Sequence, residues 1–305
     1  MKPRLFTVLA LLSSCLWPPV LLACDVCGGG ASGYGSILPM FQTNLAGLRY
    51  QQFSYLHPAG MNQNGSSTVL EDRYQQWECW MRFRVQPRLF LSASLPWKQQ
   101  TRLETEYRSQ IQGLGDVRLE AAWVLFNTAD SMRRLGKHML QAVGGIKLNN
   151  GKYMQRLQDG VMAPLPLQTG TGAPAAWLRA EYVRRRGRIG MHGDVQYMYF
   201  GTNELRYQLG TQLTASLRGF WWLYRGTTQW MLQGAVQADH FAADRVYGAV
   251  KPDSGGQRMQ GSILATLMFK TLVVQAEWMH PLWQDFGVRQ PRSSPTNRLA
   301  LAMFF

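Results

Sequence analysis

Leu299-Ala300-Leu301-Ala302-Met303-Phe304-Phe305 ends the chain in strict alternation. Successive side chains of an extended strand point to opposite faces. Leu299, Leu301, Met303 and Phe305 therefore share one face, and Ala300, Ala302 and Phe304 the other. The segment before it behaves alike: Leu272, Val274, Ala276 and Trp278 alternate with Val273, Gln275, Glu277 and Met279. Towards the N-terminus, Val117, Leu119, Ala121, Trp123 and Leu125 alternate with Arg118, Glu120, Ala122 and Val124. Trp77, Cys79, Met81, Phe83 and Val85 alternate with Gln76, Glu78, Trp80, Arg82 and Arg84. One face is apolar and the other carries charge, which is the pattern of a sheet with two different surroundings.

Extended along the chain, the pattern predicts twelve strands, near 44–57, 73–86, 89–101, 115–127, 137–149, 174–185, 188–200, 205–217, 227–240, 257–269, 271–282 and 297–305. Many exceed the roughly 5–6 residues usual in soluble sheets. They suit tilted strands that cross a bilayer, which need about 9–11 residues. The connections alternate in length. Pro87-Arg88, Arg186-Gly187 and Lys270 mark short turns, whereas 58–72, 102–114, 150–173, 241–256 and 283–296 read as long polar loops. The connection near 201–204 is short where a long one is expected. Trp97, Tyr107, Tyr197, Tyr199, Trp221, Trp222, Tyr224, Trp278 and Trp283 gather near strand ends. Long strands, turns on one side, loops on the other and aromatic ends define a transmembrane up-and-down antiparallel β-barrel. A soluble β-sandwich accounts for the alternation but not for these other features.

Composition agrees. The 305-residue chain is 46% hydrophobic and 16% charged. Its mean hydropathy of -0.21 excludes a helical membrane protein. It does not exclude a barrel, where lipid-facing and lumen-facing residues alternate. The formal charge is +14, with a pI near 10.0. A basic chain suggests nucleic acid, but export argues against that partner. The densest basic run, Arg184-Arg185-Arg186-Gly187-Arg188, sits at a predicted turn, where solvent or lipid headgroups suffice.

Export is read from the N-terminus. Lys2 and Arg4 precede an apolar run, Leu5 to Leu22, broken by Pro18 and Pro19. That is a secretory signal rather than a spanning anchor. The expected organisation is a signal peptide over 1–23, a periplasmic Cys/Gly-rich lead-in over 24–42 and an outer-membrane barrel over 43–305.

Leu299 to Phe305 resembles the carboxy-terminal signal that barrel-assembly machinery reads, with Leu299, Leu301, Met303 and Phe305 as its alternating positions. Cys24-Asp25-Val26-Cys27-Gly28, Ser36-Ile37-Leu38-Pro39 with Phe41, and Gly47-Leu48-Arg49-Tyr50 resemble a family of outer-membrane transporters found especially in Bacteroidetes-like bacteria. That family often has a further cysteine where this chain has Gly29. Gly113-Leu114-Gly115-Asp116 and Leu167-Gln168-Thr169-Gly170-Thr171-Gly172 are similar to elements of broad outer-membrane transporter families, including those proposed for aromatic compounds. The resemblance implies a transporter or channel and supplies no substrate.

Candidate chemistry is sparse. Cys24 and Cys27 form a C-x-x-C with three readings: a lipidated Cys24, a disulfide or redox pair, or a soft metal such as Cu(I) or zinc held by thiolates. No other cofactor is indicated. Cys79 falls on the lipid face, as a small apolar filler. By alternation Glu78, Arg82, Arg84, Arg118, Glu120, Arg179, Glu181, His192, Asp194 and Glu277 face inward as lumen-lining candidates. They either pair across the lumen and fill it or line a polar path. His192 with Asp194, and His240 with Asp239, are the only histidine–carboxylate neighbours of interest. No nucleophile elbow or H-E-x-x-H occurs, so no enzyme is expected. The sequence thus points to an outer-membrane channel or transporter for a small solute, a metal ion or small organic compound. A non-conducting barrel that binds a partner is the alternative. The implied partners are outer-membrane lipid, the barrel-assembly machinery and the solute.

Overall fold

Twelve antiparallel strands, each bonded to its neighbours in chain order, close into a barrel. They are β1 (Leu45–Leu56), β2 (Glu71–Gln86), β3 (Leu89–Leu103), β4 in two pieces (Arg108–Leu114 and Arg118–Asn127), β5 (Gly136–Lys147) and β6 (Ala175–Arg186). The circuit continues with β7 (Ile189–Phe200), β8 (Gln212–Arg225), β9 (Thr228–Phe241), β10 (Gly256–Phe269), β11 (Leu272–Asp285) and β12 (Thr296–Phe304). Leu45 of β1 lies opposite Arg82 of β2 on one side and Phe304 of β12 on the other, and this closes the ring. Closure leaves no open sheet edge, which a bilayer requires. The computed structural model describes residues 43–305 apart from 58–59, 62–66, 69, 105–107, 129–135, 159, 253 and 287–289. The signal peptide, the lead-in with Cys24 and Cys27, and Tyr107 lie outside the described residues.

The two faces divide as the alternation requires. Leu299, Leu301, Met303 and Phe305 point outward with relative exposures of 56%, 47%, 52% and 57%. Arg298 and Ala302, between and beside them, are buried inside. Cys79 is exposed on the outer face. The outer surface is therefore apolar and fit for lipid. Trp97, Tyr197, Tyr199 and Trp283 lie in the loop-side halves of their strands, and Trp221 and Tyr224 in the turn-side half of β8; all are exposed outward.

Gly187-Arg188 and Gly226-Thr227 make two-residue turns, with the glycines at φ +59° and +58°. Tight hairpins need such positive angles, which glycine adopts freely. Lys270 meets the same demand at φ 51° without that freedom.

Three expectations are corrected. The eighth strand is Gln212–Arg225, not 205–217, and the preceding connection spans 201–211. It is therefore a long loop like its fellows on that side. The segment 102–114 is mostly wall: β3 runs on to Leu103 and pairs with Arg108–Leu114. Finally, Trp222 is not a girdle residue. It points inward and is 2% exposed.

The break in β4 has a definite geometry. Leu114 lies opposite Trp97 and Arg118 opposite Ser94, so Gly115-Asp116-Val117 faces only Leu95-Pro96. The extra residue is a β-bulge, which reverses the parity of the strand. Ile111 and Gly113 face inward before it, and Ala122 and Val124 after it.

Candidate functional site

The lumen is layered. At the turn end it is floored by apolar side chains, among them Trp80, Phe90, Val143, Phe220, Trp222 and Met231. Phe90 and Met231 are fully buried. Above the floor lies a belt of paired charges. Arg49 bonds Glu78 at 3.0 Å. Glu277 sits between Arg298 at 2.7 Å and Arg218 at 3.3 Å. Arg179 reaches Glu120 at 3.3 Å, is paired with Glu181 and donates to Gln196 at 3.1 Å. Arg258 bonds Asp239 at 2.8 Å, and Thr214, Gln237 and Gln260 also donate to that carboxylate. Buried charges are tolerated when paired and hydrogen-bonded in this way.

The mouth is covered by the loop between β5 and β6, which folds inward. Ala163 and Leu167 pack with Tyr55, Tyr74, Ile111 and Phe241, inward residues of four different strands, and Leu157 packs against the same group. Gln100 of β3 donates to the Gln168 carbonyl.

The base of this loop is clamped to the bulge in β4. Asp116 accepts from Lys147 Nζ at 2.8 Å, Gly151 N at 2.9 Å, Thr171 N at 3.0 Å and Thr171 Oγ1 at 2.9 Å. Lys147 also donates to Thr171 Oγ1 and the Ala173 carbonyl. Small residues permit this approach. A Cβ on Gly170 would lie 2.6 Å from the Gly151 carbonyl carbon, and one on Gly115 would lie 3.0 Å from the Thr169 carbonyl oxygen. The two glycine motifs of the sequence, 113–116 and 167–172, are thus the two halves of one joint.

Between the lid and the charged belt lies a cavity of about 90 Å³. Its lining includes the apolar side chains of Phe53, Tyr74, Leu165, Met198, Phe200 and Leu209, together with the amides of Gln75, Gln76, Gln100, Gln168 and Gln212. The charged groups of the lining, at the end formed by the β4 bulge and its neighbours, are Lys98, Arg118, Lys147 and Asp116. Lys147 and Asp116 are engaged with each other. The Lys98 ammonium has no hydrogen-bond or ion-pair partner among the described residues.

The inward candidates read from the sequence are brought into this interior with one exception. Glu78, Glu120, Arg179, Glu181 and Glu277 are in the belt. Arg82 lies over the Phe90 ring at 4.1 Å, between belt and floor. Arg118 lines the cavity. His192 is 2% exposed and neither ring nitrogen has a hydrogen-bond partner among the described residues. Asp194 accepts from Ser216. Arg84 is the exception: it is exposed at the turn-side rim, its backbone nitrogen bonded to Asn44 Oδ1 and its guanidinium to the Pro87 carbonyl. Alternation alone does not show where the lumen ends. Asp239 and His240 point to opposite faces, so they form no common site. No group of three or more metal-ligating side chains occurs among the described residues. Sequence reading missed Arg49, Lys98, Asp116, Lys147 and Arg298. Lys98 and Lys147 carried a signal, since each alternates with outward apolar neighbours, Trp97 and Ile146.

No protein-family model and no curated protein matches the sequence. Solved structures do match in fold. The COG4313 outer membrane channel from Pseudomonas putida F1 superposes with a TM-score of 0.66 at 16% identity, over 92% of this chain and 100% of that one. The β domain of the Bordetella autotransporter BrkA gives 0.48 at 11% identity, over 85% and 99%. A Pseudomonas aeruginosa FadL homologue gives 0.46 at 11%, over 94% and 100%. The fold is that of Gram-negative outer-membrane β-barrels.

Proposed function

We propose that the protein carries a small solute across the outer membrane and holds it on the way in the cavity beneath the folded-in loop. The observation that carries this reading is the cavity itself. It lies inside the barrel wall, its Lys98 is not neutralised by a partner, and much of its lining is apolar. A barrel built only as a scaffold has no use for an unpaired ammonium in its interior, because burying one is costly. Pockets with an apolar wall and a few convergent polar groups are the usual form of small-molecule sites. The fold is shared with an outer membrane channel. The resemblance of Cys24–Gly28 and Gly47–Tyr50 to transporters of Bacteroidetes-like bacteria supports the same reading, with 24–30 as a gate or capture element. Transport rather than catalysis is the activity. Lipid contacts the apolar outer face, and the assembly machinery reads Leu299, Leu301, Met303 and Phe305.

The packed lower half favours a second reading, a non-conducting barrel that serves as a partner platform. Floor and paired belt leave no wide pore. On the leading reading the solute passes by displacement of floor side chains. Liposome swelling with solutes of graded size separates the two. Swelling with small organic solutes supports passage. Absence of swelling for every solute, with the barrel shown to be folded by heat-modified gel mobility, supports the platform.

A further inference from the structure

We infer that the cavity beneath the loop is a binding site for a small organic anion, a carboxylate attached to a small apolar body. This deepens the transport reading by naming the solute class, and takes its biological meaning from that reading.

The charge of the site argues for an anion. Lys98 comes from β3 and points inward beside the bulge of β4. Its stem is confined: a Cβ on Gly115 would stand 2.9 Å from Lys98 Cε. The ammonium is thus held at the cavity pole. The acid on that pole, Asp116, already accepts four hydrogen bonds, one of them from Lys147. It neutralises Lys147 and joins the loop to the wall. Arg118 adds a further positive charge to the lining. The pole is therefore net positive, and a carboxylate entering it gains charge-assisted hydrogen bonds.

The apolar share of the lining, beside the glutamines, argues for an apolar body. Phe53, Tyr74, Leu165, Met198, Phe200 and Leu209 present rings and aliphatic chains to the same space. A bare anion such as chloride or acetate leaves that surface unused. Size sets the upper bound. At the roughly 30 Å³ that a water takes in the liquid, the cavity of about 90 Å³ has room for about three waters. A solute with a single small apolar group suits it. A long-chain fatty acid does not.

The test is isothermal titration of the refolded, detergent-solubilised protein with benzoate, benzyl alcohol and acetate. Benzyl alcohol keeps the ring and lacks the charge, whereas acetate keeps the charge and lacks the ring. Lys98→Met removes the ammonium at similar volume, and Lys98→Arg restores a cation. Heat-modified gel mobility confirms that each variant is folded. We expect benzoate to bind more tightly than either analogue. Lys98→Met should weaken it by about tenfold or more, the scale of a lost hydrogen bond to a charged group, and Lys98→Arg should restore most of it. Benzyl alcohol should be indifferent to both variants. Equal binding of benzyl alcohol and benzoate, with no effect of Lys98→Met, would overturn the anion assignment. Acetate equal to benzoate would overturn the apolar half, and no binding of benzoate would overturn both. Titration requires no conduction, so a silent barrel that still binds benzoate would sink the transport reading and leave this one standing.

Discussion

Asp116 and Lys147, 31 residues apart, meet at 2.8 Å where β5 ends. Asp116 also accepts from Gly151 and Thr171 of the inward loop, which fastens that loop to the interrupted strand β4. The pair is buried on both sides, with side-chain exposures of 5% and 3% for Lys147 and Asp116. Removing one member leaves the other charge buried alone, a loss of about 3–5 kcal/mol in comparable pairs.

Asp116→Asn should therefore release the loop without unfolding the barrel. Limited trypsin digestion reads this directly, at the exposed Lys152 and Arg156. Rapid cleavage there in the variant and slow cleavage in the parent is the expected result. Asp116→Asn combined with Lys147→Met should be cut more slowly than the single variant, because no lone charge remains. Equal cleavage of parent and Asp116→Asn would refute the clamp.

Gly170→Ala should reproduce that phenotype by a steric route. Its Cβ would meet backbone, the Gly151 carbonyl carbon at 2.6 Å and its Cα at 2.9 Å. Backbone cannot swing aside as a flexible side chain can. The same digest checks it, and a trypsin-resistant Gly170→Ala would show that the joint has slack.

In the belt, Glu277 answers two arginines, Arg218 and Arg298. Glu277→Gln keeps the shape and removes the charge. A destabilisation of about 3–5 kcal/mol is expected from the two uncompensated guanidinium groups. It would be measured as an earlier transition in urea, followed by gel mobility. An unchanged midpoint would mean that water or ions reach this layer freely.

On the outer wall, Ile263 lies mid-strand in β10 and is 64% exposed. If that face meets hydrocarbon, Ile263→Arg should cost about 2–4 kcal/mol in lipid. Tyr247→Arg, at an exposed loop position, should cost little. Equal stabilities after folding into vesicles would contradict the orientation of the barrel in the bilayer.

The strands most legible in the sequence are those with a polar inner face, such as β2, where Glu78 and Arg82 alternate with Trp77, Cys79 and Met81. The end of β8 was obscured for a physical reason. Phe220 and Trp222 belong to the apolar floor while Trp221 faces lipid. With both faces apolar, the period-2 signal vanishes, and Arg218–Arg225 reads as a connection. β4 was obscured differently, because the bulge at 115–117 shifts the parity and detaches its first piece from the pattern. The cavity could not be read at all. It depends on where the loop before β6 folds, and that is set by long-range partners of Asp116. The glycine motifs held the one hint, as two islands whose spacing gives no sign that they touch.

The central claim is a solute path through the barrel, throttled by the apolar floor. Planar-bilayer recording of the refolded protein beside a Phe90→Ala, Met231→Ala variant tests it most directly, since both side chains are fully buried in that floor. The account predicts a small steady conductance in the parent and a several-fold larger one in the variant. Silence from both, with heat-modified mobility showing folded barrels, would contradict it.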